Sequence, residues 1–294
     1  MRKVFQRWIC FTVAVLLMLG GKNTVFAVEQ ENETGSSEKS DIYNILLVGT
    51  DRRDDSWNGN SDVIIVATIN ETAQKLCLTS FMRDLYADIP EYGVHKINYA
   101  YAAGGVDALK ATLQSNYQVE VDNYAVVDFS EMAEIINLAG GVEITVNDAE
   151  ADVLNGYLVS MNATESSLPC GGTYLLNGNQ AVAYMRIRYV GNNDYERTQR
   201  QRNVLRAIFE SASDMDVEDI ALFVGKMLTF ADNDFDLLDL MKLTAGLPDY
   251  LDYPLEEARV PFDGMYYSEN EMLVPDFEST RQKLYEIMIE GQEP

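Results

Sequence analysis

From residue 42 onward the chain runs in short apolar blocks separated by turn-forming residues. Asn44 to Gly49 is one such block and reads as a buried strand. Val63 to Ile69 and Leu76 to Phe81 are two more, joined by Asn70-Glu71-Thr72-Ala73-Gln74, a hairpin-length connection. Gly104-Gly105 opens a helical stretch with Val106, Leu109 and Leu113 on one stripe. Val119 to Phe129 returns to strand. Met132, Ile135, Ile136 and Ala139 then share one side of a helix stopped by Gly140-Gly141. Val142 to Val146 is strand again, whereas 147–172 is polar and shows no clear period. Asn177 with Gln180 makes a capping-box-like helix start, Arg186 to Tyr189 looks extended, and 195–213 is helical. Further helices are expected near 216–229 and 278–290. Helices interleaved with strands predict an α/β layered domain, and the hairpins make its central sheet mixed.

The amino terminus breaks this pattern. Arg2, Lys3 and Arg7 precede an apolar stretch, Trp8 to Gly21, that Lys22 ends after 14 residues, short of the roughly 20 that span a bilayer. Val25-Phe26-Ala27 supplies the small residues of a cleavage site. Residues 1–27 therefore read as an export signal, cleaved or retained as a membrane anchor. Either outcome puts the body outside the cytoplasm, at the outer face of the membrane or in the cell wall. Residues 29–41 lack apolar content, and 28–41 reads as a solvated polar linker.

Of the 294 residues, 22 are Lys or Arg and 47 Asp or Glu, a net charge of −25. Four of those basic residues lie in the first 27 positions, so the body is more acidic still. Such a surface repels phosphate backbones and opposes nucleic-acid binding. The single histidine, His95, excludes His-rich metal sites, and there is no GxxxxGK[ST] loop. His95 reads as a polar packing residue. Cys77 and Cys170 either pair or leave Cys77 as a buried strand residue. An anionic substrate would need a local cationic pocket working against the global field.

Strand pairing supplies candidates. Asp51 follows the first strand and Asp62 opens the second; antiparallel pairing puts both at one sheet edge. The second hairpin is symmetric about position 72.5, which sets Asp62 opposite Met82 and Arg83. Ligands of open α/β sheets sit on such a rim. Two hard oxygen donors with open positions suit Mg²⁺, which keeps waters and borrows phosphate oxygens. The competing reading makes Asp51 and Asp62 turn caps and pairs Arg83 with Asp84.

Six arginines and no lysine fall within 186–206: Arg186, Arg188, Arg197, Arg200, Arg202 and Arg206. Arg186 and Arg188, two apart in an extended segment, point the same way. On the following helix Arg197, Gln201, Val204 and Ile208 share the core-facing side, while Arg202 and Arg206 lie opposite on a solvated face. A buried guanidinium needs an anion, either an internal carboxylate such as Asp194 or a bound phosphate. Guanidinium forks match phosphate bidentately. Lys96 adds a further cation at the mouth. Together these groups suit phosphoryl chemistry.

Ile45-Leu46-Leu47-Val48-Gly49-Thr50-Asp51-Arg52-Arg53 with Ser61-Asp62 resembles the opening of LytR-CpsA-Psr domains. Ser80-Phe81-Met82-Arg83-Asp84, Lys96-Ile97-Asn98-Tyr99-Ala100, Gly104-Gly105 and Gly140-Gly141-Val142 match in order. Leu176 to Ala181, Arg186-Ile187-Arg188, Asp194-Tyr195-Glu196-Arg197 and Arg200-Gln201 resemble the family's closing motifs. The resemblance covers about 42–210, leaving 211–294 as an acidic, mainly helical C-terminal extension packed on the domain. It implies a three-layer α-β-α sandwich and a magnesium-assisted transferase. Such enzymes move a glycopolymer from a polyprenyl diphosphate carrier to peptidoglycan at the membrane surface. By motif, Asp51 and Asp62 would hold Mg²⁺, and Arg83, Arg186, Arg188, Arg197 and Gln201 would bind the diphosphate, with Arg53 and Lys96 lining it. Helices around 106–117 and 130–139 would form the lipid slot. A polyprenyl-phosphate or glycopolymer receptor, or a pyrophosphatase using water, would share these residues. Asp84, Asp194 and a substrate oxygen are the candidate bases. Two positions depart from the pattern: Asn60 replaces an arginine, and Met82 replaces a proline, which should loosen the turn before Arg83.

Overall fold

The computed structural model describes residues 42–51, 59–213, 215 and 217–290. The expected signal segment, the linker and Arg53 lie outside these residues. Among the described residues, no helix is long and apolar enough to cross a membrane.

Six strands form the central sheet: β1 (Ile42–Thr50), β2 (Ser61–Asn70), β3 (Lys75–Phe81), β6 (Asn123–Val127), β9 (Asp232–Asn233) and β10 (Leu255–Val260), in the order β10-β3-β2-β1-β6-β9. The hairpins run as the apolar blocks require. Ile65 faces Ser80 and Asn70 faces Lys75, so the second hairpin has the expected symmetry. β1 pairs antiparallel with β2 and parallel with β6, while β10 runs parallel to β3. The sheet is mixed. The carboxyl ends of β1, β3 and β6 and the amino end of β2 therefore share one rim.

Alternation along the strands separates two helical layers. Leu46, Val48, Ile64, Val66 and Phe81 pack against Leu109, Leu113 and Tyr117 of α1 (Asn98–Tyr117) and against Leu284 and Met288 of a C-terminal helix, 277–288. Tyr43, Ile45 and Ile69 face the other way, onto Phe209 of helix 193–213 and onto Leu243 and Tyr250 of helix 237–250. Each fully buried Leu or Ile contributes about 2 kcal/mol. Beside the rim, a second core joins α2 (Phe129–Leu138), β7 (Val142–Val146), α3 (Asp148–Ser160), β8 (Gly172–Leu176), α4 (Gly178–Met185) and α5 (Asn193–Ser213). Asn177 and Gln180 close the expected capping box on α4. A Cβ built at Gly178 would lie 2.0 Å from the Ala133 carbonyl oxygen, so α4 abuts the α2 backbone as only glycine permits.

Several expectations need correction. The aperiodic stretch after residue 147 contains α3, started by a capping box between Asn147 and Glu150; its buried stripe of Ala151, Leu154 and Leu158 is too narrow to dominate the pattern. Gly104-Gly105 kinks α1 rather than opening it, with Gly105 at φ +68°. A ribbon of β4 (Tyr86–Ile89) and β5 (Gly93–Lys96) precedes that helix. The segment after 211 is no appendage. It folds as α6 (Val217–Met227), β9, α7 (Leu237–Tyr250), β10, the ribbon β11–β12 (Tyr266–Glu269, Met272–Pro275) and α8 (Phe277–Met288). It thus supplies both edge strands of the sheet. The polar sequence of β10, Leu-Glu-Glu-Ala-Arg-Val, hides a strand whose outward positions bind charged partners. Cys77 is buried, Cys170 is exposed, and the two are unpaired.

Arg202 and Arg206 separate here. Arg206 is exposed, but Arg202 is buried, donating to Ser80 Oγ at 2.8 Å and to Glu257 Oε2 at 3.2 Å. The core-facing stripe of α5 is wider than a single helical face because β10 covers its flank. Burial opposes ionisation of Glu257, but Gln199, Arg206 and Arg202 outweigh it and hold its carboxyl below the usual range. Its contribution to stability is full above the unfolded glutamate value and fades as pH falls through the lower folded value. Glu257→Gln is expected to cost about 2 kcal/mol at pH 7. In urea unfolding, the gap from the parent should close in acid.

Candidate functional site

The shared rim gathers the predicted residues. Thr50 pairs with Ser61, so Asp51 and Asp62 flank one turn, and Asp51 Oδ1 accepts the Asn60 N–H at 3.0 Å. Continuing the β2–β3 register brings Arg83 opposite Asp62, and Arg83 Nη1 donates to Asp62 Oδ1 at 3.1 Å. Phe129 enters at the same rim because it follows β6, which is parallel to β1.

α5 supplies the other side. Asp194 lies in its first turn, and Arg197 and Gln201 sit one turn apart on the face that buries Val204. Arg188 Nη2 donates to Asp62 Oδ2 at 2.9 Å, and Arg197 Nη1 lies 3.6 Å from the same oxygen. Asp194 answers the same three guanidinium groups, at 3.1 Å from Arg83, 3.9 Å from Arg188 and 3.5 Å from Arg197. Arg197 is buried, and its Nε lacks a hydrogen-bond partner. Burial, with Arg83 and Arg188 nearby, brings its pKa down to about 10 despite Asp62 and Asp194. It stays a cation at neutral pH, with one donor unspent.

Arg186 and Arg188 reach the site differently from the extended segment expected. Arg186 ends α4 in helical backbone, and 187–190 is irregular. The Arg186 guanidinium lies over the rings of Phe129 and Tyr157, 4.7 and 5.1 Å from their centroids. A cavity of about 390 Å³ is lined by Asp51, Asp62, Val63, Phe129, Tyr157, Met185, Arg186, Arg188, Arg197 and Gln201. The lining combines guanidinium and carboxylate groups with aromatic and apolar side chains.

Lys96 stands one step back. Its Nζ contacts Asp84 Oδ1 at 2.8 Å, and Asp84 Oδ2 lies 3.5 Å from Arg83 Nε. Burial disfavours the Asp84 carboxylate, but Lys96 and Arg83 overcome it and hold its pKa below the ordinary value. Burial likewise disfavours charged Arg83, and Asp62, Asp194 and Asp84 reverse the effect and raise its pKa. Arg83 thus pairs with Asp84 as the competing reading held, and with Asp62 as well. The turn before Arg83 is not loosened by Met82. The Met82 N–H donates to the Val260 carbonyl at 2.9 Å, a bond that proline lacks. His95 is exposed and stacks on Tyr99, with centroids 4.4 Å apart.

Phe129, Tyr157 and Met185 escaped the sequence reading. Phe129, expected as the end of a strand, instead opens α2, and Tyr157 lies on the helix that the pattern concealed. Phe129, which opens the helix expected at 130–139, Tyr157 and Met185 supply the apolar part of this cavity's lining. Leu109 and Leu113 instead fill the core under the sheet.

No group of three or more His, Cys, Asp or Glu side chains able to hold a metal occurs among the described residues. Asp51 and Asp62 do line one cavity. Two hard carboxylates fit Mg²⁺, which takes its remaining ligands from water and phosphate.

The LytR_cpsA_psr family profile matches residues 16–287. Polyisoprenyl-teichoic acid–peptidoglycan teichoic acid transferase TagU of Enterococcus faecalis is 33% identical over 172 residues, 57% of this chain and 53% of that protein. Regulatory protein MsrR of Staphylococcus aureus is 36% identical over 166 residues, 56% of this chain and 47% of that protein. The chain spans about half the length of these relatives. The crystal structure of Bacillus subtilis TagT superposes with a TM-score of 0.66 at 23% identity, covering 88% of this chain and 94% of that one. A TagT structure with bound octaprenyl pyrophosphate lipid gives 0.62 at 24% identity, over 88% and 93%. These likenesses agree with the three-layer arrangement of helices around a mixed sheet. The chain belongs to the LytR_cpsA_psr family.

Proposed function

We propose that the protein is a phosphotransferase of the cell envelope. It moves a glycopolymer from a polyprenyl diphosphate carrier onto peptidoglycan, working at the outer face of the cytoplasmic membrane. The observation that carries this reading is the mixed lining of one cavity. Arg186, Arg188 and Arg197 line it together with Phe129, Tyr157 and Met185. A lipid diphosphate has the same two characters in one molecule. The names of the teichoic acid transferases among its relatives and of the lipid-bound TagT structure support the same substrate class.

In the reaction, an acceptor hydroxyl oxygen bonds to the sugar-side phosphorus, and the bond from that phosphorus to the bridging oxygen breaks. Polyprenyl monophosphate leaves, and a phosphodiester joins saccharide to acceptor. Charge builds on the diphosphate oxygens as the bridge breaks. Arg83, Arg188 and Arg197 meet that charge from positions already fixed by Asp62 and Asp194, so little reorganisation is needed. Gln201, one turn beyond Arg197, adds a neutral donor. Asp51 and Asp62 would hold Mg²⁺, which would supply further charge neutralisation at the diphosphate. Asp84 and Asp194 are both engaged in ion pairs, and Lys96 and Arg83 hold the Asp84 pKa below its ordinary value. The hydroxyl proton passes instead to a phosphate oxygen of the substrate, which a loose, late-deprotonating transition state tolerates.

Incubation of the protein with a polyprenyl diphosphate-linked saccharide, peptidoglycan and Mg²⁺ should yield the phosphodiester product. Asp51→Ala, Asp62→Asn and Arg197→Ala should each lower kcat/KM by about 10²-fold or more. Equal rates for the parent and Asp51→Ala would refute the proposal. Bound lipid in native mass spectra with no turnover would make the protein a receptor, and release of saccharide phosphate to water would make it a pyrophosphatase.

The depressed Arg197 pKa carries a second expectation. The kcat/KM profile reports groups of the free enzyme. Transfer should therefore fall on an alkaline limb near pH 10, where Arg197 loses its proton. A profile flat beyond pH 11 would show that this guanidinium does not limit binding.

A further inference from the structure

We propose that Arg200, together with Glu150, is a positioning residue that fixes Arg188 in the site; this rests on the diphosphate reading above. Arg188 sits on neither helix nor strand. The 187–190 segment that presents it needs an external restraint, and Arg200 provides one at both ends. Arg200 Nη1 donates to the Ile187 carbonyl at 3.3 Å and Nη2 to the Val190 carbonyl at 3.1 Å. The same guanidinium donates through Nε to Glu150 Oε1 at 2.8 Å and through Nη2 to Glu196 Oε2 at 3.2 Å.

Arg200 is 2% exposed, so its charge is fully withdrawn from water. Such burial is costly unless nearly every donor is used. Two of its four bonds go to backbone carbonyls flanking the Arg188 peptide. A lysine could neutralise Glu150 but could not bridge both carbonyls, because it lacks the planar fork. Glu150 is itself held, since its Oε2 accepts the Asn147 N–H at 2.9 Å in the box that starts α3. α3 also carries Tyr157, one of the rings over which Arg186 lies. The pair thus ties the Arg188 segment to the helix that carries this ring.

Gly191 completes the bracket. It has φ +75°, and a Cβ there would stand 2.4 Å from the Glu196 carboxyl group. Only glycine lets the segment turn over that carboxylate while Glu196 remains bonded to Arg200.

The test measures binding of inorganic pyrophosphate with Mg²⁺ by calorimetry, beside amide hydrogen exchange. Arg200→Lys and Gly191→Ala should each weaken pyrophosphate about tenfold and speed exchange selectively at 186–191. Gly191→Ala perturbs the same segment without replacing a charged residue. Neither substitution should weaken binding further in an Arg188→Ala background, since residues acting through one another are non-additive. Losses that add in that background would overturn the proposal. So would unchanged exchange at 186–191, or a uniform rise across the chain, which marks a merely structural staple. If the parent protein binds no pyrophosphate, the diphosphate reading falls, and exchange at 186–191 still decides whether Arg200 holds the segment.

Discussion

The site depends on two carboxylates that keep three guanidinium groups together. Arg83, Arg188 and Arg197 repel one another, and Arg197 is almost wholly out of water. A unit-charge pair at 4 Å is worth about 4 kcal/mol at an effective dielectric near 20. Asp62 and Asp194 turn that repulsion into a lattice of alternating charge, with Asp62 bonding Arg83 and Arg188 through different oxygens. The lattice holds donors where, on the proposed reading, a diphosphate would meet them. Sheet topology makes it possible, because Asp62 and Arg83 meet only where antiparallel hairpins share a rim with the amino end of α5.

On the proposed reading, the same arrangement reconciles an acidic protein with an anionic substrate. The chain carries a net charge of −25, so a diphosphate meets repulsion over most of the surface. Inside the cavity the low-dielectric walls of Phe129, Tyr157 and Met185 strengthen each guanidinium contact. Local field and hydrophobic burial then act on one ligand together. On the proposed reading a free phosphate gains only the first, which would favour lipid-linked substrates over small anions.

Much of this was legible in the sequence, for physical reasons that differ by residue. The hairpin symmetry that pairs Asp62 with Arg83 follows from loop length alone, and Arg197 and Gln201 follow from helical period beside Val204. Asn177 announced its helix through the reciprocal bonds it makes with Gln180. Tyr157 was hidden because α3 buries a thin stripe and a charged residue, Glu150, whose partner lies fifty residues on. Arg202 was misread because helical period reports one buried face, and α5 is covered on two. β10 was missed because an edge strand whose side chains bond arginines does not look apolar. In each failure the deciding partner was distant in sequence.

That distant edge shapes how the chain reaches its native form. β3 is buried at every position, yet one of its two neighbours, β10, pairs residues 255–260 with residues 76–81. Asn70 and Lys75, in the hairpin before it, wait longer, for the terminal carbonyls of Met288, Ile289 and Glu290. Contacts closing such long loops form late. Until residues 255–260 have emerged, β3 presents an apolar, unpaired border of the kind that recruits other chains. Removal of residues 284–290 would take away the carbonyls that Asn70 and Lys75 grip, so the turn leading into β3 is clasped only when that stretch is in place.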